Sequence, residues 1–354
     1  MIRAFVNFSP LRSISMIFHR NTCESRRFYT GKRGGSSSFF SHSRSSAFDG
    51  HRSRNFPEGR HITTPRKMSS TVPAEWRKFI TKFQEAKTEQ DGLAKIFINK
   101  DLSYGEFNKF GRLNLWCIID YFEASLNLFQ PDFTGNEHVS LFARNVEVNL
   151  KEGTEGRIQI DQALKFKICL TYLGKSSVCW EAQCMDLKTD EELANYWIQM
   201  VTVDMKDRKP KPFAYLLEDL CPKNLREEPP NGFDLEFKPE TAFKHEFVVN
   251  WSDTDFNSHL NQADMCRMCV DCGSFAATQN NLSAFSHELV AYDLKRCSFM
   301  FMKEARPGEK VLVECWESEG SPLVLNFAFS KENKLITMIQ LEYFSGDVNA
   351  ASKL

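Results

Sequence analysis

No run of 18 apolar residues occurs among the 354 of this chain, so no membrane-spanning helix is expected. The pattern G-x-S-x-G is missing, which excludes the usual serine-nucleophile elbow. Walker and dinucleotide glycine patterns are missing too, which removes the familiar phosphate-cradling loops. Acidic residues are scarce at one end only: residues 1–67 hold 13 Lys plus Arg against 3 Asp plus Glu. The remainder holds 32 basic against 43 acidic residues. A body this acidic lacks the basic surface that nucleic-acid binding requires, so no nucleic-acid partner is expected.

What is present begins with length and core material. The chain is long enough for two ordinary domains, and 42% hydrophobic residues with 31 phenylalanines can fill their cores. Residues 1–67 are Arg- and Ser-rich and read as an organelle transit peptide or a disordered leader, with Arg26-Arg27-Phe28-Tyr29 resembling a mitochondrial processing site. Met68 offers a second start. The C-terminal Ser352, Lys353 and Leu354 spell a peroxisomal address, which implies an import receptor as partner. The expected locations are the peroxisome and, through the leader, the mitochondrion.

Apolar periodicity then orders the body. Trp76, Phe79, Ile80 and Phe83 form a helical stripe, so a helix is expected over 74–90. A strand follows over 94–103, an apolar helix over 113–129, and strands near 138–150, 159–173, 175–187 and 194–206. The alternation Leu164, Phe166, Ile168, Leu170, Tyr172 has the period of a strand. Six prolines between 207 and 242 mark a linker, whose middle, 213–220, reads as a helical turn. The order then repeats: a strand over 243–251, a helix over 261–278, and strands near 287–303, 309–317, 322–330 and 334–345. This repetition predicts an internal duplication, with domains over 68–206 and 243–346 and a short tail over 347–354. Laying 106–110 on 255–259 places Phe110 opposite His259, which makes the first copy non-catalytic, structural or tunnel-lining.

The densest chemistry lies in W-S-D-T-D-F-N-S-H-L-N, residues 251–261. Asp253, Asp255, Asn257 and His259 occupy alternate positions, and in an extended segment these leave one face. The row ends at a helix N-terminus, whose free N–H groups can meet a developing negative charge. A carboxylate that activates water, beside such donors, suits attack on an activated carbonyl.

This motif resembles that of hotdog-fold thioesterases, above all the plant acyl-carrier-protein thioesterases. The resemblance spans about 92–346, although only the eleven-residue motif is specific. It implies an α+β fold of two tandem hotdog domains, each an antiparallel sheet wrapped around a central helix, with catalysis in the second. It implies Asp255 as the residue that activates water or attacks the thioester, Asn257 as its orienting amide, and His259 as donor or support. Glu304 matches a catalytic Glu across a one-residue gap, and a surface Glu beside a turn is the alternative. Asp253 and Asn261 shape the turn into the helix, and Asp271 matches an acidic position of the family. The expected reaction is hydrolysis of fatty-acyl-CoA to fatty acid and CoA, by a monomer or homodimer.

Two other functions compete. Hotdog enoyl-CoA hydratases use D-x-N-P-x-H, but here no Pro follows Asn257 and His259 comes one residue early. A non-catalytic acyl-CoA binder is the third reading, since Met265 and Cys266 replace the bulky residues usual after the motif. Of eleven cysteines, Cys266, Cys269 and Cys272 fall at C-x-x-C-x-x-C. No second pair with ligand spacing completes a metal site, and small soft side chains suit a helix enclosed by a sheet. No metal and no organic cofactor is therefore expected.

Overall fold

The computed structural model describes residues 83–88, 94–100, 102–129, 139–204, 206–207, 209–212, 225–230, 232–233, 236, 238–255 and 257–345. The leader, the turn expected over 213–220 and the terminal Ser352-Lys353-Leu354 lie outside them. Among the described residues eleven strands form one antiparallel sheet: β1 (Phe83–Thr88), β2 (Ala94–Asn99), β3 (Val139–Leu150), β4 (Leu164–Leu173), β5 (Ser177–Asp186), β6 (Glu192–Asp204), β7 (Phe243–Val248), β8 (Leu294–Phe301), β9 (Lys310–Ser318), β10 (Ser321–Lys331) and β11 (Lys334–Tyr343). Their spatial order is β1-β2-β4-β5-β6-β3-β8-β11-β10-β9-β7. With β1 set aside, the order β2-β4-β5-β6-β3 from one edge matches β7-β9-β10-β11-β8 from the other. The sheet is continuous because β3 pairs with β8, from Asn145 opposite Met300 to Asn149 opposite Arg296.

One sequence expectation fails at the edge. Residues 83–88, expected within a helix, are strand β1, paired with β2. The open edge of β2 offers a row of unsatisfied backbone groups, and pairing there outweighs the weak helical stripe. The remaining stripe residues, Trp76, Phe79 and Ile80, lie outside the described residues.

Among the described residues two long helices face this sheet, α1 (Leu115–Phe129) and α3 (Gln262–Thr278), with a single turn, α2 (Thr154–Arg157), between β3 and β4. In α1 the buried residues Leu115, Ile118, Ile119, Phe122 and Leu126 recur at helical spacing. Phe122 stacks on Tyr196 of β6, with ring centroids 4.9 Å apart. The sheet answers with period two: Leu164, Phe166, Ile168 and Leu170 of β4 are all buried. The chemistry of α3 differs, because Ala263, Cys266, Cys269, Cys272 and Ala276 fill its buried face. Space is tight there. A Cβ on Gly273 would stand 2.3 Å from Leu289 Cδ1, so a side chain there requires Leu289 to move. Burial pushes the Cys272 thiol up to about 12, which keeps it protonated and unreactive.

A buried ion cluster ties the loop ahead of α1 to the segment ahead of β8. Arg112 donates to the carbonyls of Ala291 (3.0 Å) and Tyr292 (3.2 Å), to Glu155 (2.7 Å) and to Asp293. Burial pushes Glu155 up to about 7, and the Arg112 guanidinium opposes that rise. Breaking a buried pair from one side strands the other charge. The expected outcome for Arg112→Met is a loss of about 3–5 kcal/mol of unfolding free energy, measured by urea denaturation. A loss below about 1 kcal/mol would show that this cluster holds nothing together.

Candidate functional site

The segment ahead of α3 is a closed loop rather than the extended row expected from the sequence. A 3-10 turn, Trp251–Asp253, opens it, and an isolated bridge between Thr254 and Leu260 closes it. The cause is the Asp255 side chain. Its Oδ1 accepts from the main-chain N–H of Asn257 (2.8 Å) and of His259 (3.0 Å). The Asp255 N–H in turn donates to the His259 carbonyl at 2.8 Å. Satisfying these groups locally bends the chain away from a strand, and Ser258 at φ 60° completes the reversal.

The loop still brings together three of the motif's polar side chains and Glu304. Asn257 Nδ2 lies 3.3 Å from Asp255 Oδ2. His259 Nε2 lies 2.9 Å from Glu304 Oε2, and both side chains are only 13% exposed. Glu304 Oε1 also accepts from Arg306 at 3.1 Å. The site is anchored to the segment after β8, because Leu260 N–H donates to the Ala305 carbonyl at 2.8 Å. Glu304 is therefore a buried partner of the imidazole rather than a surface residue. Burial raises the Asp255 carboxyl above its ordinary range, opposed by the N–H of His259, the nearby imidazole and Asn257. The result is a carboxylate more basic than an exposed one.

The other motif residues build the turn. Asp253 is buried, accepts from Asn250 N–H (2.8 Å) and Nδ2 (2.9 Å), and pairs with Arg267 at 2.9 Å. Asn261 caps α3, its Oδ1 accepting from Ala263 N–H at 2.9 Å. Asp271 sits one turn along from Arg267, 3.6 Å from it. Cys266, Cys269 and Cys272 are buried free thiols. Among the described residues no group of three or more His, Cys, Asp or Glu has the geometry to hold a metal ion.

The loop ahead of α1 repeats this construction at a constant offset. Asn108 Oδ1 accepts from the N–H of Phe110 (2.9 Å) and Arg112 (3.2 Å). Asn108 N–H donates to the Arg112 carbonyl at 2.8 Å, a bridge joins Phe107 to Leu113, and Gly111 takes φ 71° where Ser258 stands in the other loop. Thus Asn108 matches Asp255, Phe110 matches Asn257, and Arg112 matches His259. The sequence pairing of Phe110 with His259 was two residues out of step. Its error is physical: an amide oxygen closes the loop as well as a carboxylate does, so residue type alone did not mark the register.

Sequence reasoning missed the polar groups that α1 turns toward α3. Glu123 Oε2 accepts from Gln262 Nε2 at 3.1 Å, and Asp120, at the solvent edge, lies 3.5 Å from Asn261 Nδ2. The available signal was a pair of acids three apart in a helix otherwise read as apolar.

With this architecture in place, its class is clear: it is the hotdog fold. Solved structures share it across most of the described chain. An acyl-ACP thioesterase from Bacteroides thetaiotaomicron superposes with TM-score 0.56 and 12% identity, covering 71% of this chain and 98% of that one. The 12:0-ACP thioesterase from Umbellularia californica gives TM-score 0.57 and 12% identity, covering 71% and 97%. No family profile and no curated protein sequence matches the chain.

Burial pushes Glu123 up to about 8, reinforced by Asp120 and Asp255 and opposed by Gln262. A carboxyl raised in the folded state binds more protons there than in the unfolded chain. Its unfavourable contribution is absent below the ordinary value of 4.5 and complete above about 8. Unfolding free energy is therefore expected to fall with rising pH across that window. Glu123→Gln should flatten the slope in urea denaturation series, and an unchanged slope would remove Glu123 as its source.

Proposed function

We propose that this chain is a fatty-acyl-CoA thioesterase built of two tandem hotdog domains, 68–206 and 243–346, joined by the Pro-rich segment 207–242, with catalysis in the second. The observation that carries the reading is the Asp255 carboxylate, fixed by two main-chain N–H groups at the entry to α3 with the His259–Glu304 pair beside it. Such a loop holds a base in one orientation before substrate arrives.

In this mechanism Asp255 Oδ2, held by the longer contact to Asn257, takes a proton from water as the water oxygen bonds to the thioester carbon. The carbonyl electrons move to oxygen, and that oxyanion meets first-turn N–H groups of α3 other than that of Ala263, which Asn261 caps. Collapse re-forms the carbonyl and breaks the C–S bond. The thiolate leaves and recovers the proton from Asp255. Glu304 orients the His259 ring, whose donor faces the reacting group or the carboxylate. The steps need only side chains, backbone and water. Entry to the peroxisome through Ser352, Lys353 and Leu354, and to mitochondria through the leader, belongs to the same proposal. Microscopy of forms beginning at Met1 and Met68, with free C-termini, tests it, and a cytosolic Met68 form would defeat the peroxisomal part.

The functional test is thiol release from saturated acyl-CoA of several lengths, with acyl-carrier-protein thioesters in parallel. Saturated substrates exclude hydration as a source of signal. The wild type should release thiol, and Asp255→Asn should lower kcat by about 10²–10⁴-fold with KM nearly unchanged. An unimpaired Asp255→Asn variant would take Asp255 out of the mechanism, and binding without turnover in the wild type would point to a carrier instead.

A further inference from the structure

The mechanism above leaves Glu123 without a task, yet its surroundings are built. Gln262, the first residue of α3, is buried. Its Nε2 faces Glu123 Oε2 at 3.1 Å and the Tyr196 hydroxyl of β6 at 3.4 Å, while its Oε1 is buried with no hydrogen-bond partner. The residue that starts the candidate oxyanion-binding turn is thus gripped by an acid from α1.

The constant offset between the two loops supplies an independent observation. It matches Glu123 with Val270 and Gln262 with Leu115, and Tyr343 lies on β11, the strand that corresponds to the β6 of Tyr196. In the first loop Leu115, Val270 and Tyr343 line one small cavity together with Asn108 and Asn114. Each loop is therefore faced by the long helix of the opposite half, which supplies apolar Val270 at the first loop and Glu123 at the second; Glu155, the acid that lines the first cavity, comes from α2 and pairs with Arg112. The polar set Glu123–Gln262–Tyr196 occurs only where Asp255 and His259 stand.

We propose that Glu123 is a positioning residue of the hydrolytic site, supplied by the first half, which acts through Gln262 to set the first turn of α3 against Asp255. This rests on the hydrolase reading. The charged and titratable groups around Glu123 are Asp120 on α1, Asp255 in the loop, Asp264 on α3 and the Tyr196 hydroxyl on β6. Burial, with electrostatic repulsion from Asp120 and Asp255, keeps the Glu123 proton bound near neutral pH, so Glu123 senses the charge on Asp255.

The test uses the full chain. In steady-state kinetics from pH 5 to 9.5 on a saturated acyl-CoA, Glu123→Gln should lower kcat by up to about 10²-fold with KM within about two-fold, and should remove a wild-type inflection near pH 8. Tyr196→Phe, which loosens Gln262 from the other side, should lower kcat in the same direction by less. In ¹³C-carboxyl NMR, a signal titrating near pH 8 should be missing from Glu123→Gln and should move to lower pH in Asp255→Asn. A folded Glu123→Gln with wild-type kcat and pH profile overturns the proposal, as does a Glu123 signal unmoved in Asp255→Asn. A wild type that hydrolyses no acyl-CoA defeats the hydrolase reading instead. The NMR series then still decides whether Glu123 and Asp255 communicate.

Discussion

A side-chain oxygen that gathers two main-chain N–H groups closes the loop ahead of each long helix, and the site depends on that closure. Oδ1 of Asp255 does this by accepting from Asn257 and His259, and Oδ1 of Asn108 by accepting from Phe110 and Arg112. The backbone solution is the same in both halves. The difference is charge: a carboxylate in one loop, a neutral amide in the other. Once Asn stands at the closing position, the loop retains its shape but loses a base.

The fifth position of each loop shows how the freed chemistry is used. His259 points its ring at Glu304 in a 13% exposed environment. Arg112 instead reaches across to two carbonyls and Asp293 ahead of β8, and to Glu155 of α2. A guanidinium stays charged and has five donors in a fixed fork, so it suits a permanent tie between halves. An imidazole paired with a carboxylate can instead take up or release a proton. One loop geometry therefore supports a structural lock in the first half and an acid–base arrangement in the second.

Much of this was legible in the sequence, for identifiable reasons. The strands β3 to β6 and β8 to β11 lie close to the apolar stretches that marked them, β4 with period-two burial, and α3 announced itself through its cap, Asn261, placed just before the helix as the residue type predicted. The grouping of Asp255, Asn257 and His259 was found with Glu304, but through the wrong backbone. Alternation suggested an extended row, whereas a local side-chain acceptor wound the chain into a loop. Strand β1 was hidden because edge pairing is decided by a partner far along the chain, and a helical stripe is a local signal. The register between the two loops was hidden because Asn and Asp are equivalent as loop closers and different as chemistry.

The groups contributed by α1 were least legible. Asp120 and Glu123 lie more than a hundred residues before Asp255, and nothing local marks them as neighbours of a site. Their meaning comes from the pairing of β3 with β8, which fuses two sheets into one and sets the helices against each other. An acid placed there would be costly in isolation, since burial penalises its ionised form. Gln262 offsets part of that cost with an amide donor, and Glu123 can remain protonated through neutral pH. The apolar Val270 at the matching place beside Asn108 shows that the fold does not require an acid at such a position. Retaining one beside Asp255 is therefore a property of the site rather than of the scaffold.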